Sequence, residues 1–118
     1  MAGKSNNRRP VQVGEAIQRE LSDLLLRELK DPRLGFVTIM GVEVSPDLKH
    51  ARVFVSALGT EEEQQASMAA LVSARGWLRH ELGQRMELRY TPELQFRADF
   101  TTATADRINR LLQGEIKD

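Results

Sequence analysis

The stretch Phe36-Val37-Thr38-Ile39-Met40-Gly41-Val42-Glu43-Val44-Ser45-Pro46-Asp47-Leu48-Lys49-His50-Ala51-Arg52-Val53-Phe54-Val55-Ser56-Ala57 decides the fold. Its first nine residues are rich in β-branched side chains and long enough for one strand. Residues 51–57 then place Ala51, Val53, Val55 and Ala57 on one side and Arg52, Phe54 and Ser56 on the other, the period of a half-buried strand. Between the two runs Ser45-Pro46-Asp47 offers a proline preset for the second position of a turn. The segment therefore reads as a hairpin with a loop of about five residues.

Working toward the N-terminus, Val13, Ile17, Leu21, Leu24, Leu25 and Leu29 recur at three- and four-residue steps, opposite Gln18, Arg19, Asp23 and Arg27. This is an amphipathic helix of about five turns. Asp31-Pro32 ends it, because the residue before a proline is pushed out of the α region. Pro10 marks the edge of the fold and suits the first turn of the helix. Residues 1–9 are small, polar and basic and read as a flexible arm carrying Lys4, Arg8 and Arg9.

Toward the C-terminus, Thr60 followed by Glu63 is a capping-box pattern, so a second helix starts near Glu61. The acids Glu61 to Glu63 complement its N-terminal dipole. Met68, Leu71, Ala74, Leu78 and Leu82 make a stripe that runs through Gly76. Period alone permits one long helix there. Gly76 costs about 1 kcal/mol relative to alanine in a helix interior, and Ser73 is close by, so a helix–kink–helix is expected. Pro92 suits the first residue of a third strand over 93–99, in which Leu94, Phe96 and Ala98 share one face. Ala105, Ile108, Leu111, Leu112 and Ile116 form the stripe of a closing helix, with Asp99 expected to cap it. The order αββααβα predicts a single α+β domain over residues 10–118, its helices packed on one face of a three-stranded sheet.

Composition narrows the function. At 118 residues the chain can bury roughly two-thirds of its unfolded surface around one core. It has no cysteine, so disulfides, thiolate metal sites and a Cys nucleophile are excluded. No apolar run reaches the ~18–20 residues of a membrane span, and no signal-peptide core opens the chain, so a cytoplasmic protein without a membrane partner is expected. His50 and His80 stand on different elements with no partner at metal-ligand spacing, and no Gly-rich phosphate loop or activated nucleophile is present. Neither a cofactor nor a metal is expected, and the chain does not read as an enzyme.

Charge is the more informative quantity. Seventeen Lys and Arg balance seventeen Asp and Glu, which argues against gripping a nucleic acid by bulk charge. The balance is segregated, however. Residues 1–14 carry Lys4, Arg8 and Arg9 with no acid, and residues 59–70 carry only Glu61, Glu62 and Glu63. Arg75, Arg79, Arg85 and Arg89 fall within fifteen residues, more than nearby Glu81 and Glu87 can neutralise. Guanidinium groups suit phosphate oxygens, so these four, with Lys4, Arg8 and Arg9, are the candidate RNA-binding residues. Glu81, four residues before Arg85, is an available ion-pair partner for it. The alternative is a protein–protein adaptor that uses the acidic faces of residues 15–31 and 59–70.

Three stretches carry a resemblance. They are Asp31-Pro32-Arg33-Leu34-Gly35-Phe36-Val37-Thr38-Ile39, Val44-Ser45-Pro46-Asp47-Leu48-Lys49-His50-Ala51-Arg52-Val53-Phe54-Val55-Ser56, and Leu88-Arg89-Tyr90-Thr91-Pro92-Glu93-Leu94-Gln95-Phe96-Arg97-Ala98-Asp99. In this order they resemble the bacterial ribosome-binding factor A family over roughly residues 8–115. The resemblance implies a type II KH-like domain and a cytoplasmic, non-catalytic assembly factor linked to cold adaptation. Such a factor binds the immature small ribosomal subunit, promotes maturation and 5′-end processing of 16S rRNA, and leaves before translation. It implies a monomer that also meets ribosomal proteins or assembly GTPases. Ordinary KH domains clamp nucleic acid with a G-x-x-G loop. Here Ser73-Ala74-Arg75-Gly76 lacks the first glycine and matches the family's own kink, Ala74-Arg75-Gly76. Recognition by shape and phosphate contact is expected instead.

Overall fold

The architecture is given by a computed structural model that describes residues 2–99, 107–110 and 112. Helix α1 spans Ala2–Arg27, strands β1 and β2 span Val37–Val44 and His50–Ala57, helices α2 and α3 span Glu61–Ser73 and Arg75–Met86, and strand β3 spans Glu93–Ala98. Residues 107–110 are helical, as the closing stripe requires, and Ile108 and Leu112 are buried. Ala105, Leu111 and Ile116 lie outside the described residues, as does the segment Asp99 was expected to cap. The fold is α+β around one three-stranded sheet.

The sheet order is β1-β2-β3, with β1 and β2 antiparallel and β2 and β3 parallel. A parallel neighbour needs a crossover, and α2 with α3 supplies it. The hairpin closes as the sequence requires. Pro46 is the second residue of a turn in which the Leu48 amide donates to the Ser45 carbonyl at 2.8 Å. Asp47 accepts the Lys49 amide at 3.0 Å and the Ser45 hydroxyl at 2.5 Å. These bonds, the one from Ser45 first, hold its carboxyl below the ordinary carboxylate value.

Strand β1 contains a feature that alternation alone does not reveal. Ile39 pairs with Val55 but Gly41 pairs with Phe54, so Met40 is an extra residue, a β-bulge. The inward set therefore shifts from Val37 and Ile39 to Val42 and Val44, and all four pair with inward residues of β2. Met40 itself remains exposed.

Helix α1 covers this side of the sheet with Ile17, Leu21, Leu24 and Leu25. It can approach closely because Gly14 lacks a side chain: a Cβ there would stand 2.7 Å from the Val42 carbonyl oxygen. Gln18 then donates to the Ile39 carbonyl at 3.0 Å. Two boundaries differ from the sequence reading. The helix begins at Ala2, so Pro10 lies inside it and residues 2–9 are helical where an arm was expected. Proline lacks only its own amide, so the turns before it lose one bond to the carbonyl four residues back, and Lys4 to Arg9 contain no further breaker. The helix ends at Arg27, before Asp31-Pro32, because the Leu29 amide bonds the Leu24 carbonyl at 2.9 Å and turns the chain early.

Helix α2 opens with the expected capping box: the Glu63 amide donates to the Thr60 hydroxyl at 3.1 Å and the Thr60 amide to the Glu63 carboxylate at 2.8 Å. The bond from the Thr60 amide is the main cause holding the Glu63 carboxyl below its ordinary value. The kink falls on Ala74, at φ −88° and ψ 2°, which ends α2 and starts α3. Gly76 sits inside the first turn of α3, two residues past the break. Buried Ser67 ties α2 to the loop before β1, its hydroxyl accepting from the Gly35 amide at 3.0 Å.

Candidate nucleic-acid interface

The four clustered arginines do not share one environment. Arg85 reaches across to α1, where its guanidinium meets Glu20 at 3.2 Å and Asp23 at 2.8 Å and also pairs with Glu28. Glu20 and Asp23, three residues apart, sit on the side of α1 that faces α3, Glu28 follows just past the helix end, and Arg27 adds a second bond to Asp23 at 2.6 Å. The hydrogen bond from Arg85 holds the Asp23 carboxyl below its ordinary value, with Arg27 reinforcing it. In return Asp23 first, then Glu20 and Glu28, push the Arg85 guanidinium up. The partner of Arg85 is thus α1 and not Glu81. Its charge is neutralised within the fold by these three acids.

Arg79 is engaged differently. Its Nε and Nη2 both donate to the Thr91 carbonyl, at 3.0 and 2.8 Å, and its guanidinium carbon lies 5.4 Å from the centre of the Tyr90 ring. These bonds anchor the segment leading into β3 to α3. Gly83 makes this approach possible, since a Cβ there would meet the Thr91 hydroxyl at 2.7 Å. The guanidinium is fixed and only half-buried, stacked on a ring that is 50% exposed.

Arg75, in the first turn of α3, and exposed Arg89, beyond its end, have no ion pair or hydrogen bond from their side chains among the described residues. Helix α3 begins without a side-chain cap and with no acid in its first turn. Both features leave its positive end open. Between α3 and the segment before β3 runs a shallow groove of about 690 Å³, lined by Gly76, Arg79, His80, Gly83, Gln84, Arg89 and Tyr90 among others. Trp77 is 40% exposed on the same helix.

Arg8 and Arg9 are exposed on α1, and Lys4 lies in its opening turns. The structure thus brings Arg75, Arg79 and Arg89 to one surface, diverts Arg85 and carries Arg8 and Arg9 on a different helix. The sequence reading of the site missed Tyr90 and Trp77. Their signal was the interleaving of aromatic and basic residues in Arg75-Gly76-Trp77-Leu78-Arg79 and Arg89-Tyr90. Among the described residues no cluster of three potential metal ligands occurs, and no helix is long and apolar enough to cross a membrane.

Comparison with known proteins places this geometry. The family model described as ribosome-binding factor A matches residues 9–112. The ribosome-binding factor A of Brevibacillus brevis is 49% identical over 118 residues, covering 96% of this chain and 98% of the relative. The crystal structure of ribosome-binding factor A from Thermus thermophilus superposes with a TM-score of 0.67 at 29% identity, over 75% of this chain and 93% of that one. A Thermus thermophilus ribosome-binding factor A model fitted into a cryo-EM map of its complex with the 30S subunit gives 0.62 at 30% identity, over 73% and 90%. On the extent of the family match and the identity to its relatives, the chain belongs to the ribosome-binding factor A family.

Proposed function

We propose that this protein is a non-catalytic assembly factor that binds the small ribosomal subunit through rRNA backbone contacts and promotes late maturation and 5′-end processing of 16S rRNA. One observation carries the contact surface: Arg75 and Arg89, with no side-chain partner among the described residues, flank the Arg79–Tyr90 pair, while Glu20, Asp23 and Glu28 are occupied by Arg85. Family membership and the 30S complex of the Thermus thermophilus relative support the choice of target. Phosphate contacts are salt-sensitive and reversible, which suits a factor that must leave once the subunit matures. Arg8, Arg9 and Lys4 extend the contact from α1. The αββααβ order agrees with a type II KH-like domain in which Ala74-Arg75-Gly76 replaces the glycine clamp. In this reading the protein acts in the cytoplasm as a monomer, is linked to cold adaptation, and meets ribosomal proteins or assembly GTPases on the subunit.

The test is sedimentation of the Arg75→Glu/Arg89→Glu variant with purified small subunits. Both side chains lack partners within the fold among the described residues, so the melting temperature should hold while co-sedimentation falls about tenfold or more. Unchanged co-sedimentation, or wild-type binding that is indifferent to salt, would overturn the phosphate-contact surface.

A further inference from the structure

Strand β1 stands at the edge of the sheet, and part of that edge is open. The Leu58 amide donates to the Phe36 carbonyl at 3.0 Å, which sets the alternation along β1. Thr38 therefore exchanges its backbone bonds with Ser56 of β2, while the amides and carbonyls of Val37 and Ile39 point away from the sheet. Helix α1 covers part of this edge: Gln18 donates to the Ile39 carbonyl, and Gly14 lies against the Val42 carbonyl. Three groups are left without a hydrogen bond among the described residues: the Val37 amide, the Val37 carbonyl and the Ile39 amide. The bulge at Met40 closes this window at one end.

Beside the window a groove of about 430 Å³ runs between the end of α1 and β1, walled by Leu25, Leu29, Leu34 and Val37 among others. Its rim carries Leu26 and Phe36, 81% and 82% exposed, apolar side chains that the fold leaves uncovered. The charge at this rim is one-sided. Glu28 and Asp31 are held by Arg85 and Arg33, whereas Lys30 between them is exposed and has no ion pair among the described residues. Exposed Arg19, one turn before Ser22 of the groove, is a second cation with no ion pair among them. An added strand matches the hydrogen-bonding, apolar and charged features together. Its backbone supplies a donor for the Val37 carbonyl and acceptors for the two amides, and its alternate side chains enter the groove. A phosphate offers no donor for that carbonyl and no apolar group for the leucines. We propose that the open edge of β1 receives an extended segment of a partner protein, apolar on the side toward α1 and carrying an acidic residue that meets Lys30. This contact goes beyond the rRNA surface on α3 and does not depend on it.

In the experiment, the photocrosslinker benzoylphenylalanine replaces Phe36 in the full-length protein, which is irradiated on purified small ribosomal subunits. Mass spectrometry should identify one crosslinked ribosomal-protein peptide, apolar at alternate positions and carrying an acidic residue. Hydrogen exchange of the wild-type protein on the subunits should show about two further protected amides within residues 36–40, those of Val37 and Ile39. Leu26→Gln and Lys30→Glu should each lower the crosslink yield about tenfold, and Lys30→Arg should leave it near the starting value. Both side chains are exposed, so the melting temperature should hold in all three variants. Crosslinking to rRNA, to a second copy of this chain or to nothing overturns the proposal. So does a protein crosslink that leaves residues 36–40 unprotected, or that is indifferent to Leu26→Gln or to Lys30→Glu. The Arg75→Glu/Arg89→Glu variant reads the phosphate contacts separately, so either surface can fail alone.

Discussion

Individual residues show how steeply the consequences of one chemical change depend on place. Gly14 and Gly76 are both helical glycines, and alanine is the better helix former at either by about 1 kcal/mol. At Gly14 the added methyl would stand 2.7 Å from a backbone oxygen of β1 and cannot be relieved by rotating a side chain. Gly14→Ala should therefore destabilise the domain by about 1–3 kcal/mol in urea denaturation, against a gain for Gly76→Ala. Arg85 supplies the other prediction at this scale. Its removal leaves Glu20, Asp23 and Glu28 close together with one fewer cation, so Arg85→Gln should lower the melting temperature at neutral pH. The folded-state pKa of Asp23 is depressed, so its contribution is fully present above the ordinary value of 3.8 and is lost as pH falls through the lower folded value. The gap in melting temperature between wild type and Arg85→Gln should accordingly narrow below about pH 4.

At the scale of elements, strands β2 and β3 were legible because their inward residues alternate without interruption, and α2 because its cap is spelled out in Thr60 and Glu63. Strand β1 was legible in extent but not in register. Val37, Ile39, Val42 and Val44 break the period of two, and only pairing against β2 shows that Met40 is the inserted residue. The early end of α1 was equally hidden, since a carbonyl's choice between successive amides is decided by packing of Leu29 and not by composition. Deleting Met40 should restore an unbroken period of two with Val37, Ile39, Val42 and Val44 still facing the core, whereas deleting Met40 and Gly41 together should turn Val42 and Val44 away from it and cost roughly 2 kcal/mol or more. Met40→Ala keeps the bulge and removes only an exposed side chain, so its urea midpoint should stay near wild type.

Across the whole molecule the net charge of zero acquires a structural meaning. Part of it is cancellation inside the fold: Arg85 with Glu20, Asp23 and Glu28, Arg27 with Asp23, Arg33 with Asp31 and Arg107 with Glu61. The sequence identified which cations were clustered but could not say which were neutralised, because the acids that absorb Arg85 lie 57 to 65 residues away in the chain. Among the cations left without an ion pair within the described residues are Arg75 and Arg89 near α3 and Arg8 and Arg9 on α1. A protein whose cations and acids balance overall should bind arbitrary RNA weakly and an assembled target well only when its clustered cations engage at once. That division can be measured from the salt dependence of small-subunit binding. Replacing Arg75 or Arg89 by Gln should reduce the slope of log K against log salt by about one each, as each neutralises one phosphate. Arg85→Gln should leave the slope unchanged while lowering the melting temperature. If Arg85→Gln flattened the slope as Arg89→Gln does, the clasp on α1 would have to open on the ribosome and free its cation for RNA.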